Sequence, residues 1–509
     1  MNAEPARYSR RLPASRWWRS GPNQAAIRLL GYFRARSTPG KVTGIGEKDI
    51  STDSLEARAA GSVWTWIGAA AIPLMLLGPA LWNGYPLLQS DTGGYLARWY
   101  EGYLVPSRST AFGLYLHFGE NSYFWVNLVA QALATMWILQ LTLRVFGMTR
   151  PWRLLAVCIA LAATTALPWL ASMLITDIFA GLSVLSLFLL VLHGDKISAI
   201  EKTALFVFTA FAAATHSATM AVLLGLCLVG WIARPFLGGR IAASGLVQGT
   251  LTIVGGAAML LASNFALSGQ LAWTPGGYSI AFARMLEDGI VTRYLHDHCP
   301  AQHLKLCPYR DDLPETADDF LWSRETVFNK LGRFAGLGDE MGFIAIRSLA
   351  EYPLWQTEAA LIATGEQMLK VATGENTDPP TTPHTYGIIA RYLPGQLKLM
   401  NAAHQQTGFL TFGPINLIHV PVALISTALV FAMLVAAAWR PRIDDVTLLM
   451  ATVCLALLGN AAICGIISGP HDRYGSRMVW IATFAVIIAA LRRFQPKKDS
   501  RKPPLVPPI

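Results

Sequence analysis

Gln89-Ser90-Asp91-Thr92-Gly93-Gly94-Tyr95 sets a carboxylate just beyond a membrane-length apolar run, Val63 to Leu81, in a loop rich in glycine and aromatics. Near lipid such a carboxylate is costly unless it does chemistry or pairs with a partner. Further reactive residue types recur along the chain. Tyr95, Arg98, Tyr100, Tyr103 and Arg108 follow in the same loop, and Asp177 stands between two later apolar runs. Gly469-Pro470-His471-Asp472-Arg473-Tyr474, with Arg477, precedes the last run. Carboxylates accept protons and guanidinium groups hold phosphate oxygens in a bidentate geometry. Proton transfer beside a bound anion is the chemistry these residues allow.

Composition says what must carry them. With 53% hydrophobic residues, 14% charged residues and 16 Trp, and a mean hydropathy of +0.40, the chain is solvated mainly by lipid. It reads as an all-α polytopic membrane protein. Candidate spans are Val63 to Leu81, Tyr123 to Phe146, Leu154 to Leu170, Leu174 to Leu192, Ala204 to Ala214, Ala218 to Ala233, Gly245 to Leu267, Ile415 to Trp439, Val446 to Ile467 and Met478 to Leu491. That is about ten helices, since a span needs about 20 apolar residues.

Charge orients them. The N-terminal tail, residues 1–61, carries eight arginines from Arg7 to Arg36, and the C-terminal tail, residues 492–509, carries Arg492, Arg493, Lys497, Lys498, Arg501 and Lys502. Positive flanks stay cytoplasmic, so both termini are expected inside and the number of spans even. Ala204 to Ala233 is then two helices turning at Thr215-His216-Ser217. The basic connections at Arg144 to Arg153, Lys196 to Lys202, Arg234 to Arg240 and Arg440 to Arg442 fall inside with the tails. A first outer loop at 83–122 within an N-terminal module at 62–267, then Asp177, His216, an outer segment at 268–413 and His471-Asp472-Arg473 all fall outside. The C-terminal helices occupy 414–491.

The formal charge of +10 therefore sits mostly on cytoplasmic tails and turns, which argues against nucleic acid as a partner. The N-terminal tail fits adhesion to anionic membrane lipids or a solvated, partly disordered arm. In the outer segment, an oxidising compartment permits a Cys299–Cys307 disulfide, whereas Cys158, Cys227, Cys454 and Cys464 read as small hydrophobes in apolar helices. Met341 to Val371 has helical periodicity interrupted at Tyr352-Pro353, as two amphipathic interfacial helices would. Thr373 to Pro383 reads as a mobile Pro/Thr-rich turn region. Asn127, Gln131, Asn264, His419 and Asn460, inside apolar runs, read as helix-to-helix hydrogen bonding.

An aspartate in the first outer loop, a second at the next outer turn, a long outer segment with surface helices and Asp472-Arg473-Tyr474 before the last helix together resemble the GT-C superfamily of membrane glycosyltransferases. Within it the layout from Val63 to Leu491 is most similar to the protein O-mannosyltransferases and the lipid A aminoarabinose and galacturonic acid transferases. The resemblance implies transfer of a sugar from a polyprenyl-phosphate donor to a lipid, glycan or protein acceptor, on the periplasmic side of a bacterial inner membrane.

By that likeness Asp91 is the general base on the acceptor hydroxyl, and one displacement inverts the anomeric centre. Arg473 and Arg477 meet the charge of the departing lipid phosphate, with Arg98 and Arg108 next in line; Arg473-Tyr474 matches the family's pattern before the last helix. Asp177 binds substrate or metal, and Tyr95, His216 and His471 complete the substrate-binding candidates. A divalent cation held by Asp91, Asp177 and His471 is conceivable, since some members use one. Plainer readings stand beside these: an Asx turn at Asp91, an Arg473–Asp472 pair, a turn histidine at His216. Two other classes also remain, a polysaccharide polymerase or ligase working through His296, His298, His303 and Arg310, and a transporter or flippase.

Overall fold

The computed structural model describes residues 70–494 apart from residues 238 and 440–442. Both basic tails up to Arg36 and from Lys497, Arg440 and Arg442, and the beginning of Val63 to Leu81 lie outside the described residues. Helices build the described chain, and its β-structure is one isolated parallel bridge, Leu87 to Met173.

Six helices are long and apolar enough to cross a membrane: Trp125–Val145, Ser217–Phe236, Ala243–Ser268, Gly413–Ala438, Asp445–Ser468 and Asp472–Arg493. Other expected spans come out shorter. Leu154 to Leu170 is broken because Thr165 is extended at φ −133° and ψ 169°, ending Pro151–Thr164 before a short helix, Leu167–Ala171, that opens with Pro168. Proline suits a first turn and not an interior. The helix Asp177–Leu192 has 16 residues, or about 24 Å of rise against about 30 Å of hydrocarbon.

That short helix is the centre of the bundle. It is buried without interruption from Asp177 to Leu190, as expected of a helix apolar all round. The last helix lies against it: Gly181 leaves room for the Trp480 ring, which an added Cβ would meet at 2.8 Å. Arg473, Arg477 and Trp480 follow one another at helical spacing on that face. Met478 to Leu491 is thereby extended backward to Asp472, because the charges that hydropathy rejects at its head find partners inside the protein.

The chain reverses at His216. Ala199–Thr215 ends there, His216 is extended at φ −155° and ψ 120°, and Ser217–Ala233 begins. Both helices pack on Ala243–Ser268. Gly230 meets Leu246 near one end of it, while Ala210 and Ala213 meet Gly256 and Ala214 meets Leu260 further along. The two helices therefore run antiparallel, with His216 at the turn.

Residues 268–413 form structured additions at that same end. Tyr278–Glu287, Ile290–His298 and Arg333–Glu351 close around a second apolar core including Phe282, Tyr294, Phe320, Phe328 and Ile344. The Cys299–Cys307 disulfide joins part of this unit. Pro353–Leu369 then packs lengthwise on Asp445–Ser468, where Gly465 lets the Ala363 carbonyl approach. Phe343, Ile346 and Leu349 on one of these helices, and Leu354, Leu361 and Leu369 on the next, face outward.

Candidate functional site

The loop at 83–122 is fastened to the tip of the central helix before any charge is involved. Leu87 N donates to Ser172 O and Leu174 N to Leu87 O, each at 3.0 Å, and Thr92 Oγ1 donates to Leu174 O at 3.0 Å. These bonds bring Asp91 beside Asp177. Gly93-Gly94 serves two close approaches. The Gly93 amide donates to Thr385 Oγ1 at 2.9 Å, and a Cβ there would lie 2.6 Å from Thr385 Cα. A Cβ on Gly94 would lie 2.9 Å from Arg108 Nε.

Four charges meet in this frame. Arg473 donates from Nε to Asp177 Oδ2 at 2.8 Å and from Nη1 to Asp91 Oδ2 at 2.7 Å. Arg108 Nη2 donates to the other Asp91 oxygen, and the Arg108 Cζ lies 5.6 Å from the centre of the Tyr95 ring. Burial alone would raise the Asp91 carboxyl, but Arg108 and then Arg473 overcome it and hold the group down at about 2. Asp91 precedes the helix Thr92–Leu96 without capping it by its side chain, so its oxygens serve the arginines and not an Asx turn. Asp472 does not pair with Arg473; its Oδ1 accepts from Ala372 N at 2.9 Å.

Arg477 forms a layer behind Arg473. It is fully buried and donates to Asn460 Oδ1 at 2.7 Å, His216 Nδ1 at 3.3 Å and Cys464 Sγ at 3.2 Å, with Tyr474 under its guanidinium at 5.6 Å. An Arg N–H that donates to Nδ1 requires a lone pair there, so the His216 ring is neutral. Asn460 also donates to Tyr474 O at 2.7 Å. Because Asn460 lies eight residues before the end of Asp445–Ser468, the site is sunk roughly 12 Å below that helix end.

Glu375 is a residue that the sequence did not single out. Its carboxylate accepts from His471 Nδ1 at 2.8 Å and from Arg473 N at 2.8 Å, capping the last helix where the dipole favours an anion. The bond from Glu375 raises His471 above 6.5; against burial, the bonds from His471 and Arg473 N lower Glu375. Gln367 bonds the His471 backbone on both sides, at 2.9 and 2.8 Å. Thr373 to Pro383, read as mobile, is instead tied down by Ser90 N to Asn376 O at 3.0 Å and Gln405 Nε2 to Thr377 O at 2.7 Å. Two acids, Glu375 and Asp378, amid prolines and threonines were the available signal.

Other candidates lie apart. Arg98 points back to Glu101 at 2.7 Å and to Gly94 O at 2.8 Å, holding the loop and not the cluster. Within the unit around the second apolar core His298 pairs with Glu351 at 2.7 Å, and His296 and Arg310 approach Asp311 at 3.5 and 3.3 Å. Asn127 bonds the carbonyl of Tyr115 from helix to helix, as expected, whereas Gln131, Asn264 and His419 bond carbonyls of Met173, Ala272 and Val371, which ties loops to helices. Among the described residues no three His, Cys, Asp or Glu side chains gather as metal ligands, and a guanidinium bridges the two carboxylates that a cation would need. Comparison with protein-family models, with curated proteins and with solved structures returned no match.

Proposed function

We propose that the chain is a membrane glycosyltransferase of about ten spans with both termini inside, acting at the periplasmic face of a bacterial inner membrane. It moves a sugar from a polyprenyl-phosphate donor to a lipid, glycan or protein acceptor. The observation that carries the reading is the meeting of Asp91 and Arg473, 382 positions apart in sequence, in a recessed ionic cluster at one end of an apolar bundle.

In the reaction the acceptor hydroxyl gives its proton to Asp91 as its oxygen attacks the anomeric carbon. The bond from that carbon to the phosphate oxygen breaks on the opposite side, the phosphate keeps the electron pair, and the centre inverts. Arg108 and Arg473 meet the phosphate charge as hydrogen-bonding cations, and Arg477 adds positive charge behind them. A positioned base contributes about 10² to 10⁴ in rate. An apolar groove of about 430 Å³, lined by Trp82, Trp169, Phe409 and Leu410 among others, suits a prenyl chain. Its Trp169 meets Phe412 at 5.0 Å, and Phe412 stands against Gly374, next to Glu375.

Membranes holding wild type or Asp91→Asn, fed radiolabelled polyprenyl-phosphate sugars, test the reading. Label passing covalently to an acceptor in wild type and failing to pass in Asp91→Asn is the expected result. Solute uptake with no covalent product would replace it with transport, and transfer of whole glycans with a polymerase or ligase.

A further inference from the structure

Asp91 has to take a proton, yet both of its oxygens are held by arginines. Those arginines are anchored differently. Arg473 is fixed on Asp177, whose side chain is only 3% exposed, and turns Nη1 alone towards Asp91. Arg108 is 18% exposed, and its other partners are the Ser107 carbonyl at 3.2 Å and the Tyr95 ring. Its hold on Asp91 is the one most easily exchanged.

One cation of the group has no carboxylate to itself. Arg108, Arg473 and Arg477 stand against Asp91 and Asp177, and the partners of Arg477 are neutral. Glu375 is turned to His471 and to the start of the last helix. Arg477 is thus a buried cation with no carboxylate partner among the described residues, and an uncompensated buried charge is costly. A single monoanion offsets it, and a phosphodiester carries one negative charge.

We infer that the site takes its substrate by ion-pair exchange: a phosphodiester headgroup draws Arg108 and the Nη1 arm of Arg473 away from Asp91, which becomes available to a hydroxyl only once that headgroup is seated. What Asp91 does next rests on the glycosyl-transfer reading; the exchange itself is a binding step. It orders the reaction, donor first and acceptor second. It also keeps the base idle while no donor is bound.

Asp91 is then an internal competitor for the anion, and removing its charge must tighten binding. The probes are dihexadecyl phosphate, a lipid phosphodiester, and diethyl phosphate, the headgroup alone, titrated into the purified full chain in uncharged detergent. Asp91→Asn is expected to bind about tenfold tighter than wild type, the scale of one charged hydrogen bond, and Arg108→Gln to bind more weakly. Tightening with the lipid diester alone assigns the site to a lipid headgroup; tightening with both assigns it to any phosphodiester. Equal or weaker binding of both probes by Asp91→Asn overturns the exchange, and Asp91→Ser makes the same comparison should the amide variant not fold. Tighter binding with transfer intact would sink only the general-base reading, and unchanged binding with transfer lost only the exchange.

Discussion

Two arginine–carboxylate groups mark opposite ends of the helix Ala199–Thr215, and they use the same chemistry to different ends. At one end Arg144 grips Glu201 with two bonds of 2.8 and 2.7 Å, and Glu201 also closes a capping box with Ser198. One cation meets one anion, with Arg144 39% exposed. At the other end, beyond His216, Arg473 is divided between Asp91 and Asp177 while Asp91 is divided between Arg473 and Arg108. The first group is complete and works as a clasp. The second divides Arg473 and Asp91 between partners and has behind it Arg477, a buried cation with no carboxylate partner among the described residues, which is the arrangement expected where a further anion is to bind.

The largest effect that separates the two ends is on stability. Asp177→Asn leaves Arg473 half-paired in a buried place, so it should destabilise the chain by about 3 to 5 kcal/mol, measured by denaturant titration in detergent. A loss no larger than that of an exposed pair would erase the distinction. Gly93→Ala comes next, at about 1 to 3 kcal/mol, because its Cβ would strike the Thr385 backbone. Gly94→Ala should cost less, since the Arg108 side chain it meets can swing, and equal losses would show that the loop is not held as described.

Arg144→Gln should remove no more than about 1 kcal/mol and leave transfer unchanged. Lost transfer would give the clasp a role at the site. The smallest expected effect is a pH dependence at His471 and Glu375. The raised His471 gives stability that is full below its ordinary 6.5 and lost as pH rises through its folded value. The lowered Glu375 gives stability present above its ordinary 4.5 and lost as pH falls through its own. Melting temperatures of wild type should therefore decline on the alkaline side relative to His471→Gln, and parallel curves for the two would refute the pairing.

Much of the site end was legible because charge acts on every loop at once. The positive-inside rule sorted Asp91, Asp177, His216 and Arg473 to one face, and those side chains meet or lie one layer apart. The turn at His216 was readable for the same reason. Span lengths were not: the central helix starts only at Asp177, and Leu154 to Leu170 breaks at Thr165, because hydropathy counts apolar residues and misses where the backbone turns. Nor were Glu375, Thr385 and the second duty of Asn460. Their partners lie far away in sequence and no periodicity announces them. Arg477 was legible as a cation but not as a wholly buried one.

The central claim is that the shared cluster serves chemistry and not only cohesion. It is tested most directly by measuring, on one purified sample of Asp91→Asn, both the melting temperature and the rate of sugar transfer from a radiolabelled polyprenyl-phosphate donor. The account predicts a lower melting temperature, because the amide has one oxygen left to accept from Arg473 or Arg108 where the carboxylate has two, and transfer per folded molecule reduced by at least about 10²-fold. Transfer at the wild-type rate, or transfer lost only in proportion to unfolding, would contradict it.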